Sequence, residues 1–257
     1  MYSKELGINF FGNESNKKTK LKKIDILKNN INNFKIFLVI AGTNTSQIPG
    51  ISAAGLNAKS RRITALADAE FLLMGASKDH KYKLPPLNAG VTPALISHVC
   101  SKLLNVYPVI VPLGIEVKPH FNHLIVEDRD LGPSNCLSTG KSMPRDRVVN
   151  LYKRGLEIGK SSKQPILISE SVPGGTTTAQ AVMEAFGLRV SNLVGSSLFK
   201  APRELRRKVV QKGLLNANLK TDFDSFDVVA SVGDPFQAFS MGLLIGARLA
   251  NQPVIMS

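Results

Sequence analysis

The residues best suited to do chemistry lie in the stretch Pro165–Phe186, where an apolar run is followed by one acid and a glycine–threonine loop. The loop reads P-G-G-T-T-T and leads into a helical pattern. Glycines let a backbone approach a ligand closely, and free N–H groups at a helix N-terminus bind phosphate. Thr176 or Thr177 would cap that helix. A plain glycine turn is an equal alternative. The predicted binding residues are Gly174, Gly175, Thr176, Thr177 and Thr178.

Glu170 stands between the apolar run and the loop, at the predicted end of a strand. A carboxylate beside a phosphate site is electrostatically unfavourable unless it serves a purpose. It could act as a general base, orient a ribose hydroxyl or stabilise a developing cation. The alternative is a capping or helix-dipole partner without a chemical role. Glu170 is the candidate catalytic residue.

Three further polar segments follow predicted strands. They are Gly42–Ser46, the segment 86–93 (P-L-N-A-G-V-T-P) and Ser231–Pro235. Each alone is typical of a turn, but several such loops at one edge of a sheet indicate a ligand site. The binding residues proposed from these segments are Gly42, Thr43, Asn44, Gly233 and Asp234.

The chain carries a formal net charge of +14, which would attract nucleic acid or small anionic substrates. Only 6% of its residues are aromatic and none is Trp, so stacking on single-stranded nucleic acid is not expected. The basic residues crowd at Lys17–Lys28 and Arg203–Lys208. We expect a solvated face at the second cluster, and an anion- or RNA-contacting patch is its alternative.

Metal and cofactor chemistry have little support. His120 and His123 are three residues apart, and a zinc site would need at least one more ligand, to which nothing in the sequence points. Cys100 and Cys136 are far apart in sequence, as expected of reduced thiols in a cytoplasmic protein. No apolar window approaches a membrane span, and the N-terminus lacks a signal-peptide pattern. We therefore expect a cytoplasmic protein without a metal or a cofactor.

The elements that must position these residues alternate between strands and helices. Short apolar runs predict strands at 34–41, 71–75, 107–113, 165–169, 227–232 and 253–257. Helical patterns occur at 92–104, 145–158, 202–212 and 236–250. This order indicates an α/β fold: a mostly parallel, Rossmann-like layered sheet with flanking helices and room for a small helical subdomain. Residues 1–33 are predicted as a Lys/Asn-rich extension and residues 34–257 as the folded domain.

The motifs resemble a known family. The segment Ser169–Val182 (S-E-S-V-P-G-G-T-T-T-A-Q-A-V) is similar to the signature of the nicotinate-nucleotide:dimethylbenzimidazole phosphoribosyltransferases, in their divergent archaeal and cyanobacterial form. The segments 40–55, 88–94 and 231–235 resemble the same group, so the likeness spans about residues 35–257. In the better-known bacterial branch of this family, the corresponding loop has an acid, then small residues, then Gly-Asn-Thr-Thr. Glu170 and Thr176–Thr177 fall on its acid and its threonine pair, with Thr176 in place of Asn.

The resemblance implies an activity in the synthesis of the cobalamin lower ligand. A phosphoribosyl group would move from nicotinate mononucleotide to dimethylbenzimidazole or a similar aromatic base, giving α-ribazole phosphate and nicotinate. It also implies a homodimer. The transition state at the anomeric carbon resembles an oxocarbenium ion, which a nearby carboxylate stabilises.

One feature departs from the family pattern. The chain stops at Ser257, directly after a predicted strand, and the main catalytic glutamate of the family lies beyond the corresponding strand. Glu170 matches only the second, upstream family glutamate. The expectation is therefore a C-terminally truncated chain. A non-catalytic nucleotide-binding homologue of the same fold is the alternative function.

Overall fold

A computed structural model describes residues 32–55, 57–84, 92–195 and 201–257, together with residue 25 and residues 28–30. Most of the predicted N-terminal extension, including most of the basic cluster Lys17–Lys28, lies outside the described residues. Residues 86–91 of the predicted binding segment 86–93 also lie outside them.

A parallel sheet of four strands forms the centre of the described structure. The strands are β1 (Lys35–Ala41), β2 (Val109–Leu113), β3 (Ile166–Ser171) and β4 (Val254–Met256). Their order is β2-β1-β3-β4, and all neighbouring pairs are parallel. Val39 lies opposite Val111 on one side and Glu170 on the other. The predicted α/β class is confirmed, because these apolar runs are buried between two helical layers.

Seven helices surround the sheet in the described part of the chain. They are α1 (Ala58–Met74), α2 (Pro93–Leu104), α3 (Arg145–Ser161), α4 (Gly175–Ala185), α5 (Arg203–Ala217), α6 (Ser225–Val232) and α7 (Pro235–Leu249). Helix α1 packs on one face of the sheet, on Leu38, Ile40 and Ile110, and α2 packs on α1. Helices α3 and α7 cover the other face. Helices α4, α5 and α6 share a smaller apolar core of their own.

Two predicted strands are wrong. Residues 71–75 form the end of α1 and the glycine after it, and residues 227–232 belong to α6. Short apolar runs do not distinguish a strand from a buried helical segment. Both helices begin with a capping box, Asn57 with Ser60 in α1 and Asp224 with Asp227 in α6, which stabilises their first turns.

Helix α7 is held rigidly against α3. A Cβ atom at Gly242 would lie 2.0 Å from the carbonyl oxygen of Tyr152, and one at Gly155 would lie 2.2 Å from that of Phe239. Only glycine permits this backbone contact. The packing fixes the start of α7, where Asp234 is the N-cap residue.

The strand order places the candidate site. From β1 the chain moves to β2 on one side, whereas from β3 it moves to β4 on the other. Open parallel sheets bind ligands at such a switch point, beyond the carboxyl ends of the strands. The loops that follow β1 and β3 meet here. None of the described helices is long and apolar enough to cross a lipid bilayer.

Candidate functional site

The loops after β1 and β3 are in direct contact. A Cβ atom at Gly174 would lie 3.0 Å from the backbone nitrogen of Ser46, and Gly174 has a φ of 87°. Thr43, Ser46 and Pro173 line one narrow cleft at this edge of the sheet. The structure therefore brings together two of the predicted binding segments.

The loop after β1 is held by its own hydrogen bonds. The Thr43 hydroxyl, which is buried, accepts a hydrogen bond from the backbone N–H of Thr45. The amide oxygen of Asn44 accepts one from Arg62 at 2.7 Å. Gly42 has no room for a side chain, since a Cβ would lie 2.2 Å from the Gly114 carbonyl oxygen. Asn44 is the partly exposed polar side chain among these three predicted residues.

The glycine–threonine loop forms the first turn of α4. Gly174 is the N-cap residue, so the predicted capping by Thr176 or Thr177 is wrong. The left-handed φ at Gly174 starts the helix earlier than a threonine cap would. The backbone N–H groups of Thr177 and Thr178 point to the Gly174 carbonyl oxygen, at 2.9 and 3.4 Å. The exposed Thr176 has no backbone acceptor for its N–H among the described residues.

Thr177 and Thr178 differ although they are adjacent. The Thr178 hydroxyl donates toward Asp234 and the Gly175 carbonyl oxygen. The Thr177 hydroxyl is buried and has no hydrogen-bond partner in the described part of the chain. An unpaired buried hydroxyl in the first turn of a helix, next to an open N–H group, is a ready donor for an anion.

Glu170 lies beside this helix start. Its Oε2 atom is 3.5 Å from the place where a Gly175 Cβ would stand. More than a third of the residue is exposed, and the described residues give its carboxylate no hydrogen-bond donor. Desolvation by the surrounding protein and, to a smaller extent, the negative charge of Asp234 together raise its pKa to about 7. Such a carboxyl group can exchange a proton at neutral pH.

Asp234 lies behind the first turn of α4 and is closed off from solvent. It is 1% exposed, and its side chain accepts hydrogen bonds from the Thr178 hydroxyl at 2.5 Å and the Gln237 backbone N–H at 3.2 Å. Burial raises its pKa, and these hydrogen bonds partly offset that effect. Gly233 precedes it, packed against Gln237 and Val229. This geometry places Asp234 against Thr178 and not on the open surface of the cleft.

A phosphoribosyltransferase family model matches residues 93–257, which is well over half of the chain. The chain belongs to the nicotinate-nucleotide:dimethylbenzimidazole phosphoribosyltransferase family. The resemblance read from its motifs is confirmed.

Relatives and solved structures are similar over most of this chain. A UPF0284 protein of Prochlorococcus marinus strain MIT 9312 is 89% identical over all 257 residues, which cover 67% of that protein. A UPF0284 protein of Gloeothece citriformis is 39% identical over 218 residues, which are 82% of this chain and 58% of that protein. CobT of Thermus thermophilus shares the fold with a TM-score of 0.64 at 18% identity, over 87% of this chain and 62% of that one. This chain thus spans less than two thirds of the CobT chain.

Two residues near the candidate site, Asp68 and Arg62, were not predicted from the sequence. Asp68 accepts a hydrogen bond from Ser171, the residue after Glu170, at 2.9 Å. Arg62 joins Asn44 to Glu116 and lines the cleft. Both Asp68 and Arg62 lie on α1, which the sequence patterns did not predict as a helix. The Asn57–Ser60 capping signal could have revealed it.

Two other sequence candidates have structural partners. The Nε2 atom of His120 is 2.9 Å from Glu70, and the Nδ1 atom of His123 is 2.8 Å from the Phe121 carbonyl oxygen. The described residues hold no group of three side chains that could bind a metal ion.

Arg206 is buried and donates to the Val194 and Gly195 carbonyl oxygens, so the expectation that it lies on a solvated face is wrong.

Proposed function

We propose that this protein transfers a phosphoribosyl group from nicotinate mononucleotide to a nitrogen atom of an aromatic base such as dimethylbenzimidazole. The products are α-ribazole phosphate and nicotinate, and the reaction serves synthesis of the cobalamin lower ligand. Family membership and the shared fold support this assignment. The single observation that carries it is Glu170, a carboxyl group with a pKa near 7 beside a glycine-rich helix start at the switch point of the sheet.

The start of α4 is suited to the donor's phosphate. The glycine pair Gly174–Gly175 lets the phosphate approach the backbone, and the Thr176 N–H and the Thr177 hydroxyl are the donors without partners there among the described residues. The helix dipole adds to the attraction of a phosphate at this end. Arg62, which donates a hydrogen bond to Asn44, lines the neighbouring cleft.

Glu170 then faces the ribose. The bond between the anomeric carbon and the pyridinium nitrogen breaks, and its electron pair stays on the leaving nicotinate. A ring nitrogen of the base donates the electron pair of the new bond, and the other ring nitrogen loses its proton. In this proposal the ionised Glu170 stabilises the cationic sugar and accepts that proton. The leaving nicotinate needs no acid because its ring nitrogen already carries positive charge.

Release of nicotinate from nicotinate mononucleotide in the presence of dimethylbenzimidazole tests this proposal. Glu170→Gln keeps the size of the side chain but cannot ionise, so we expect the rate to fall by about 10²- to 10⁴-fold with little change in donor affinity. Glu157→Gln is the matched control, because Glu157 is an exposed glutamate on α3 whose ion pair in the described structure is with Arg154.

One outcome would contradict the proposed activity, and another would contradict the role of Glu170. If neither wild type nor control releases nicotinate while both bind the mononucleotide, the protein is a nucleotide-binding homologue without catalysis. If Glu170→Gln retains the full rate, Glu170 is not the working carboxylate.

A further inference from the structure

Asp234 is the most completely enclosed acid near the site, yet the proposed reaction does not use it directly. Its carboxylate begins α7 and touches the first turn of α4 through Thr178. The reciprocal bonds with Gln237 fix it in place, with the Asp234 N–H donating to the Gln237 side chain at 3.0 Å. A buried carboxylate with this many fixed contacts joins two helices at one point.

The hydroxyl of Thr178 makes this junction sensitive to charge. A hydroxyl has one proton to donate, and two acceptors are within reach: Asp234 Oδ2 at 2.5 Å and the Gly175 carbonyl oxygen at 2.9 Å. When Asp234 is ionised, the proton points to Asp234. When Asp234 is protonated, it can donate to Thr178, whose proton then turns to Gly175. Gly175 is the residue that Glu170 approaches.

We propose that Asp234 is a positioning residue for Glu170, which links the start of α7 to the first turn of α4 through Thr178 and supplies the negative charge that Glu170 faces. The inference rests on the proposed function only in taking Glu170 as the working carboxylate. Asp234 itself touches neither the substrate nor the reacting atoms.

The surroundings of Glu170 single out Asp234 as the source of this charge. On the opposite face of β3, Asp68 is engaged by Ser171. Across the cleft, Arg62 and Glu116 pair with each other. The neighbour of Glu170 on β1 is the apolar Val39. Among the described residues, the charge that acts on the Glu170 carboxyl is that of Asp234, in addition to desolvation. Two carboxyls coupled in this way titrate as a pair.

A carboxyl titration measures the coupling without any catalytic assay. The probe is the ¹³C chemical shift of the Glu170 carboxyl in labelled protein, assigned by its loss in Glu170→Gln. Asp234→Asn keeps an N-cap residue but removes the charge, so we expect the Glu170 midpoint to fall by about half to one pH unit. Most of the rise should persist, because desolvation is its larger cause.

Asp224→Asn is the matched control. Asp224 also caps a helix through a reciprocal capping box, but it is exposed and lies at the start of α6. We expect the Glu170 midpoint to stay unchanged in this variant. An equal shift in Asp224→Asn would show a general effect of cap removal and would overturn the assignment.

Substitutions at Thr178 provide a second test, in which Asp234 itself is unchanged. Thr178→Val removes the hydroxyl that stabilises ionised Asp234, so Asp234 should hold its proton to higher pH and the Glu170 midpoint should again fall. Thr178→Ser restores the hydroxyl and should restore the midpoint. An unmoved Glu170 midpoint in both Asp234→Asn and Thr178→Val would refute the inference.

Nicotinate release separates this inference from the proposed function. If transfer occurs, its pH profile in Asp234→Asn should move to lower pH together with the carboxyl midpoint, with a change in kcat and little change in KM. If the midpoint moves and no transfer occurs, the proposed reaction fails while the positioning role stands. If transfer occurs and its pH profile does not move, the positioning role fails.

Discussion

Two glutamates of the molecule, Glu70 and Glu170, illustrate how the same side chain serves different ends. Glu70 lies on α1 and is fully buried. Its two oxygens accept hydrogen bonds from the backbone N–H groups of Lys81 and Tyr82, each at 2.8 Å, and His120 approaches within 2.9 Å. Glu170 is partly exposed and has no such donor among the described residues.

The difference lies in whether the structure satisfies the carboxylate. A buried carboxylate with several donors is stable and tied to its neighbours, because the donors replace the lost water. A carboxylate that is partly desolvated without donors is held near its protonated form, and it stays free to exchange a proton or meet a cation. Glu70 therefore joins α1 to the segments around Tyr82 and His120, whereas Glu170 is available for chemistry.

Replacing each glutamate by glutamine should separate the two roles most clearly. In Glu70→Gln the new amide group faces a backbone donor, so we expect the free energy of unfolding to fall by about 3 kcal/mol. Glu170→Gln should change it by no more than about 1 kcal/mol at pH 5, where Glu170 is already protonated. Urea denaturation of both variants measures this. If both variants lose the same free energy of unfolding, Glu70 and Glu170 do not differ in their structural role.

The pH dependence of stability sharpens the contrast. The pKa of Glu170 rises from 4.5 in the unfolded chain to about 7 in the folded one, so the folded state keeps this proton longer. Its contribution to stability is therefore present below pH 4.5 and is lost as the pH rises through 7. Because Glu170 is more than a third exposed, we expect a loss of only about 1 to 2 kcal/mol.

Unfolding of wild type and Glu170→Gln between pH 4 and pH 8 isolates this loss, since all other groups titrate in both proteins. The free energy of unfolding of wild type minus that of Glu170→Gln should fall with rising pH. If this difference does not change with pH, Glu170 is not desolvated in the folded state. The proposed electrostatic contrast between Glu170 and Glu70 would then be wrong.

The local structure around Glu170 could be predicted from the sequence, whereas the hydrogen-bond partners of Glu70 could not. The apolar run before Glu170 and the glycines after it are local patterns, so the strand, the turn and the helix could be predicted together. The partners of Glu70 are 11, 12 and 50 residues away, and no spacing rule connects them. The burial of Asp234 could not be predicted either, because its partner Thr178 on α4 is 56 residues away in sequence.

Helix bounds show the same division between local and tertiary causes. The helical pattern at 92–104 agrees with α2, in which Thr92 is the N-cap residue and Pro93 begins the first turn. The predicted stop of α5 near Gly213 is wrong, since α5 continues to Ala217. Gly213 lies inside this helix. A Cβ atom at this position would lie 2.6 Å from the Leu137 carbonyl oxygen, so close packing requires glycine here. A glycine needed for close packing is indistinguishable in sequence from a glycine that ends a helix.

The smallest expected effect extends the comparison to the two adjacent threonines. Thr178 has two acceptors for its hydroxyl and Thr177 has none in the described structure. Thr178→Val should therefore lower the free energy of unfolding by about 1 to 2 kcal/mol, whereas Thr177→Val should leave it unchanged or raise it by up to about 1 kcal/mol. Thermal unfolding without ligand measures both.

Binding should reverse this order, which makes the pair informative. If the Thr177 hydroxyl donates to the phosphate of nicotinate mononucleotide, Thr177→Val should weaken binding about 10-fold, the loss of one hydrogen bond to a charged group. Calorimetric titration with the mononucleotide and with nicotinate riboside, which lacks the phosphate, tests this. The variant should affect only the mononucleotide. Equal weakening for both ligands would place the phosphate elsewhere and make the unpaired hydroxyl of Thr177 a packing feature.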